Sequence, residues 1–162
     1  KGILQQAVQY NQFWRLRDSQ GKPQGAIGWW PAKSVTFIDN HDTGPSYPSG
    51  GQNHWPFPGG KVLQGYAYLL RHPGMPTVYW VHYFDWGSAH QNAIKKMMEI
   101  RRRKGIHSTS AVSIQVADNS RYAAIITGRS GKVAMKIGPG SWSPGSGWVL
   151  ETSGTNYAIW SQ

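Results

Sequence analysis

A short apolar strand that ends in four consecutive hydrogen-bonding residues limits what this chain can fold into more than any other stretch. Residues Gly28 to Gly44 read G-W-W-P-A-K-S-V-T-F-I-D-N-H-D-T-G. In an extended segment Val35 and Phe37 share one face and Thr36 and Ile38 the other. Apolar groups therefore point both ways, which favours a parallel strand covered on both sides. Asp39, Asn40, His41 and Asp42 cannot all be buried cheaply, and the carboxyl end of a parallel strand is where ligands bind in α/β folds. Asp39 to Asp42 therefore read as a site.

A chain of 162 residues suits one ordinary domain, or an incomplete large domain with a small one attached. The first residues are Lys1 and Gly2 without an initiator Met, as expected of a mature product or a segment of a longer protein. Aromatic residues make up 13% of the chain, and many of its nine Trp sit beside Gly or Pro, a pattern of ring-rich loops suited to a ligand surface. The absence of Cys excludes disulfides and thiolate metal sites. No run reads as a membrane span or signal peptide. A net charge of +10 invites an anionic partner, and only seven carboxylates are present, three of them Asp39, Asp42 and Asp85.

Apolar spacing predicts a helix from Ile3 to Leu16, then a loop over Asp18 to Gly25. After the strand at Val35 comes a long Gly/Pro-rich loop, Thr43 to Gly60, carrying Tyr47, His54, Trp55 and Phe57. Lys61 to Leu70 reads as a second helix, Thr77 to Phe84 as a second strand, and Ala89 to Lys104 as a third helix stopped by Gly105. Alternating helices and strands imply parallel strands joined by right-handed crossovers. Beyond Gly105, strands at Val112 to Val116, Tyr122 to Thr127, Val133 to Ile137, Gly147 to Leu150 and Tyr157 to Trp160 read as a small antiparallel domain.

These motifs together resemble the C-terminal portion of plant-type α-amylases, members of the starch-hydrolase family built on a (β/α)8 barrel. The resemblance is carried by K-G-I-L-Q-Q-A-V, G-W-W-P-A-K-S-V-T-F-I-D-N-H-D-T-G, W-P-F-P, K-V-L-Q-G-Y-A-Y-L-L-R-H-P-G-M-P, F-D-W-G, I-R-R-R-K-G-I, K-V-A-M-K-I-G and Y-A-I-W. It implies an α/β plus β chain: residues 1–104 as the last helix-strand units of the barrel, residues 105–162 as an antiparallel β domain. A whole barrel takes about 250 residues, so only its seventh and eighth strands would lie here. The family hydrolyses α-1,4-glucosidic bonds with retention, through a nucleophile and a general acid on the fourth and fifth strands. Neither strand is in this chain, which is therefore expected to be inactive alone. The family's calcium sites also fall in the preceding region, so no metal is expected here.

By the same resemblance Asp42 is the carboxylate that stabilises the transition state, and His41 donates hydrogen bonds to the same sugar. Both can reach one sugar only if the strand has ended by His41. The alternative is an Asp/His pair that caps a strand end. Trp29 and Trp30 match a tandem platform for starch granules, or else form a core pair at a strand entrance. Trp55 matches a ring lining the cleft, although the loop Pro45 to His54 is longer than in the family. Trp142 lies near an aromatic sugar holder of the C-terminal domain.

The basic cluster Lys95, Lys96, Arg101, Arg102, Arg103 and Lys104 reads either as a nucleic-acid patch or as a solvated helix end suited to the helix dipole. The expected partners are α-glucan and either the missing N-terminal barrel region or another protein covering an open strand edge. A non-enzymatic subunit of a larger, anionic, nucleic-acid-containing assembly is the second reading. Family members are secreted or plastidial.

Overall fold

The computed structural model describes residues 1–46 and 51–162, so Tyr47 and the centre of its loop lie outside the described residues. Helix α1 spans Gly2–Tyr10 and buries Leu4, Ala7 and Val8. It ends earlier than its apolar spacing predicts because Asn11 takes a left-handed conformation (φ 53°), which an Asn side chain tolerates. A separate 3-10 turn, Phe13–Leu16, then buries Phe13 and Leu16. A one-turn helix α2, Ala26–Trp29, leads into strand β1, Val35–Thr36.

Strand β1 pairs in parallel with β2, Met75–Pro76, in a two-stranded sheet. Helix α3, Val62–Leu69, makes the crossover between them and is buried nearly all round. A helix apolar on every side needs packing on every side. Gly65 lets it close on its neighbours, since a Cβ there would stand 3.0 Å from both Ile38 and Phe57. Helix α4, Ser88–Arg103, turns Ile94, Met97 and Ile100 inward.

The strand expected over Thr77 to Phe84 is not formed. Val81–Asp85 is a π-helical turn. In a strand His82 would share a face with Trp80 and Phe84, yet His82 is fully buried while those two rings are exposed and lie 4.2 Å apart as helical neighbours. Residue composition pointed to β structure here, and burial of the one polar ring decided otherwise.

Five antiparallel strands follow: β3 Ala111–Ala117, β4 Tyr122–Gly128, β5 Gly131–Ile137, β6 Val149–Gly154 and β7 Tyr157–Ser161, in the order β3-β4-β5-β7-β6. The strand predicted at Gly147 to Leu150 thus starts and ends later. One apolar core joins Leu4, Tyr66, Ile94 and Ile100 to Ile126, Met135 and Ile159 of the sheet. His72, just past α3, fastens the two parts: its Nε2 lies 2.7 Å from the Tyr122 hydroxyl and its Nδ1 2.9 Å from the Tyr68 carbonyl. Burial pushes the His72 imidazole down to about 3, so it remains neutral at ordinary pH.

Arg71 is the largest side chain with no exposure at all, and it donates from Nη2 to the Met97 carbonyl. Its Nε and Nη1 have no partner among the described residues. Burial, with Arg101 nearby, lowers the guanidinium to about 9. A buried cation so poorly paired opposes folding, and Arg71→Met is expected to raise stability by about 1–3 kcal/mol. Urea unfolding midpoints of the two proteins measure this; a lower midpoint in the variant would show that Arg71 contributes net stability.

Candidate functional site

The chain leaves the β1–β2 ladder after Thr36, whose carbonyl accepts the last bond from Thr77 N–H at 2.8 Å. The next residues are thereby free to turn, and Asp39 goes inside while His41 and Asp42 go outside. The Asp39 carboxylate has no exposed surface and meets Lys1 Nζ at 2.6 Å. It also accepts Phe57 N–H on both oxygens, at 3.2 and 3.0 Å, and the Thr43 hydroxyl at 3.2 Å. His82 Nε2 stands 3.4 Å away, an electrostatic contact longer than a good hydrogen bond. Burial alone would raise this carboxyl, but the His82 ring, the Lys1 ammonium and the Phe57 N–H outweigh it and hold it below the usual range.

His82 is itself oriented. The Tyr66 hydroxyl accepts Tyr79 N–H at 3.1 Å and lies 3.0 Å from His82 Nδ1. Because the Asp39 carboxylate can only accept, the tautomer that suits both neighbours carries its proton on Nε2, facing Asp39, and takes the Tyr66 hydroxyl proton at Nδ1. Tyr66, Tyr79 and Trp86 surround the imidazole with centroids 5.7, 5.2 and 4.5 Å away.

Residues 40–44 form a tight turn. Asn40 Oδ1 accepts Asp42 N–H at 3.2 Å and Thr43 N–H at 3.0 Å, as Asn commonly does at turns. The turn is clasped by the returning loop: Gln52 N–H donates to the His41 carbonyl at 2.7 Å, Asn53 N–H to Gly44 at 2.9 Å, and Trp55 N–H to Thr43 at 3.2 Å. His41 and Asp42 project outward, with His41 Nε2 3.3 Å from Asp42 Oδ1 and side chains 78% and 55% exposed. Gln52 Nε2 donates to Asp42 Oδ1 at 3.2 Å. Trp55, on the returning loop, is half exposed, with Lys1 Nζ 5.2 Å from its ring centroid. His41, Asp42 and Trp55 thus stand exposed on two segments joined backbone to backbone, a rim that presents a donor, an acceptor and an apolar ring.

The other predicted residues lie elsewhere. Trp29 and Trp30 are 68% and 70% exposed, so they form no core pair. Gly28 sets them there: a Cβ on it would fall 1.9 Å from the Pro23 carbonyl oxygen. Trp142 sits on the β domain, partly buried, edge-on to Trp160 at 5.7 Å. Of the six clustered basic residues, four bind within the molecule. Arg101 donates to the carbonyls of Leu70, His72 and Gly74, Lys96 and Arg103 meet Glu151, and Lys104 donates to the Gln162 carbonyl.

Sequence reasoning did not find Lys1, Gln52 or His82. Each is joined to the site only by the fold, and His82 was masked by the strand reading of its segment. Asp39 was singled out with its neighbours, but nothing in the linear pattern separated its buried side chain from the exposed pair.

Residues 103–161 match the family model described as "Alpha-amylase C-terminal beta-sheet domain". The chain is 53% identical over 161 residues to Probable alpha-amylase 2 and 46% identical over 163 residues to Alpha-amylase 3, chloroplastic, both of Arabidopsis thaliana. In each case 99% of this chain is covered, but it spans only 37% and 17% of those relatives' lengths. Against Alpha-amylase type B isozyme of Hordeum vulgare it is 45% identical over 98% of both sequences. The crystal structure of CldA, a cyclomaltodextrin glucanotransferase with a three-domain ABC distribution, superposes on 97% of this chain and 42% of its own, with a TM-score of 0.65 at 14% identity. That likeness speaks for the fold. The sequence relationships, spread over the whole chain, establish that it belongs to the α-amylase family and ends in that family's C-terminal β-sheet domain.

Proposed function

We propose that this chain is the C-terminal part of an α-amylase-type glycoside hydrolase acting on α-1,4-glucosidic bonds of starch, and that it is inactive alone. The observation that carries the reading is the exposed His41 and Asp42 pair just beyond a parallel strand, with the segment that bears the half-exposed Trp55 hydrogen-bonded to their turn. Such a rim can stack one face of a sugar, hydrogen-bond its hydroxyls and place a negative charge near the oxocarbenium ion of the transition state.

Retaining hydrolysis needs two carboxyl groups about 5 Å apart, one to attack and one to protonate the leaving oxygen. Asp39 is buried, Asp18 and Asp118 cap turns, and Glu151 pairs with basic side chains of α4. The proposal takes from the family resemblance that nucleophile and general acid sit on the fourth and fifth barrel strands, outside this chain. Exposed apolar residues on the parallel pair support a covering neighbour: Val35 and Met75 are 59% and 58% exposed, and an apolar cavity of about 450 Å³ opens beside β1. The proposal puts no metal on this chain.

No described helix is long and apolar enough to cross a membrane. The protein is placed in the plastid or the secretory route, the former supported by the relative named chloroplastic. A non-catalytic subunit docked through a basic surface onto an anionic assembly has less support, because most of the basic cluster is engaged internally.

The test compares the full-length natural protein with the 162-residue chain on soluble starch. The former should release α-anomeric products and the latter none; no cleavage by the full-length protein, or cleavage by the short chain, would sink the reading. Trp29 and Trp30 are assigned to a granule-binding platform. Replacing both by Ala should lower retention on starch granules about tenfold, the loss expected for two stacking rings. Sedimentation with granules measures it, and undiminished retention would give the rings another role.

A further inference from the structure

We infer that Asp39 is a positioning residue: its buried carboxylate, held by Lys1 and His82, sets the two segments that bear His41, Asp42 and Trp55. The inference rests on the proposed function for what those segments do, and on geometry alone for how they are held. The Asp39 side chain has no exposed surface, which keeps its carboxylate away from any ligand on the rim. One oxygen shares the Thr43 hydroxyl with Asn40 Oδ1, at 3.2 and 3.1 Å, and Thr43 Oγ1 in turn accepts Asn40 N–H at 3.3 Å, closing the turn whose exposed tip is His41 and Asp42. Both oxygens take Phe57 N–H, two residues beyond Trp55. Four segments distant in sequence thus meet on a single carboxylate.

The anchor is rigid on its other side. Lys1 Nζ bridges Asp39 and the Ile38 carbonyl, at 2.6 and 2.7 Å, and also faces the Trp55 ring. His82 is fixed by Tyr66 and enclosed by three aromatic rings. By contrast, the side chains of His41 and Asp42 are largely exposed and, among the described residues, held only by each other and Gln52. Their placement must therefore come through the backbone, and the backbone of both segments is fastened at Asp39. A displacement of about 1 Å in such groups is enough to cost a large factor in rate.

The test uses Asp39→Asn, Thr43→Val and Lys1→Met in the full-length natural protein, read by amide hydrogen exchange and by kcat and KM on soluble starch. Asp39→Asn should speed exchange at residues 40–44 and 55–57 about tenfold or more, the scale set by losing charge-assisted hydrogen bonds. Amides of Val133 to Ile137 in β5 should keep their rates. Turnover should fall about tenfold or more with a smaller change in KM, as expected when groups acting in the transition state are misplaced. Thr43→Val should loosen 40–44 and spare 55–57, whereas Lys1→Met should loosen both by a few-fold.

Exchange unchanged at both segments in Asp39→Asn, or rising equally in β5, overturns the inference. If Asp39→Asn does not fold, the other two variants decide: the inference falls if Thr43→Val loosens both segments alike or Lys1→Met loosens neither. If the unmodified protein does not cleave starch, the proposed function fails, and the exchange rates still decide whether Asp39 sets the rim.

Discussion

Replacing Asp42 by Asn in the full-length protein is expected to lower kcat on starch about a thousandfold while KM changes little. The substitution keeps size and the ability to accept a hydrogen bond, and removes only the charge. Asp42 lies in the turn, its carboxylate exposed and touched by His41 at 3.3 Å and Gln52 at 3.2 Å, so no buried network depends on it. Folding should therefore be preserved, which thermal melts can verify within about 0.5 kcal/mol. A neutral amide still orients a ground-state sugar but cannot balance the positive charge that develops as the glycosidic bond breaks. A loss in kcat without a matching loss in binding is the signature of an interaction made in the transition state. Equal loss in kcat/KM through KM alone would reduce Asp42 to a binding residue. Retained activity would leave the Asp/His pair as a cap on a strand end.

Much of this was legible from sequence, and the exceptions have physical causes. The β domain reads well because Ala111 to Ala117 alternates in exposure, while Tyr122 to Ile137 holds two apolar runs joined by the short turn at Arg129 and Ser130, as expected of strands at the buried centre of a sheet. The turn at Asp39 to Asp42 reads as a site because four polar residues close an apolar run. What the sequence could not state is that Asp39 faces in while Asp42 faces out. The two are chemically identical, and the difference is set by Lys1 and Phe57, remote in the chain. The segment at Val81 misled for a related reason: β-branched and aromatic residues favour a strand, and that local preference yields here to packing that buries His82 and exposes Trp80 and Phe84. Net charge suggested a phosphate-binding face, yet three carbonyls and one carboxylate absorb much of the helix α4 cluster, a use of basic residues that composition cannot register.

Glu151 provides the second large effect, because it is the carboxylate that two residues of that cluster meet, Lys96 and Arg103. The ladder between β6 and β7 shifts register between Leu150 and Thr152, so Glu151 stands at a bulge, and its side chain reaches α4. Lys96 and Arg103, two helical turns apart, both meet it, Lys96 at 3.5 Å, and the Ser161 hydroxyl donates to it at 2.6 Å. Its side chain is only 11% exposed, so the pairs are shielded from solvent more than ordinary surface ion pairs. Glu151→Gln should destabilise the fold by about 2 kcal/mol, between the values for exposed and buried pairs, and lower Tm by about 4–8 °C.

The pH dependence fixes the cause. Burial alone would raise the Glu151 carboxyl, but the Ser161 hydroxyl and Arg103 hold it down at about 2, against an ordinary value of 4.5. Protons therefore bind the unfolded chain more readily. The contribution of Glu151 is complete above pH 4.5, declines as the pH falls below that value, and is gone near 2. Asp39 and Asp118 are also held low and lose their own contributions in acid, so the informative quantity is the difference between the parent protein and the Gln variant. That difference should be constant from neutral pH to about 5 and shrink below it. A difference independent of pH down to 2 would mean that Glu151 acts through its packing at the bulge, with the charges of α4 contributing nothing.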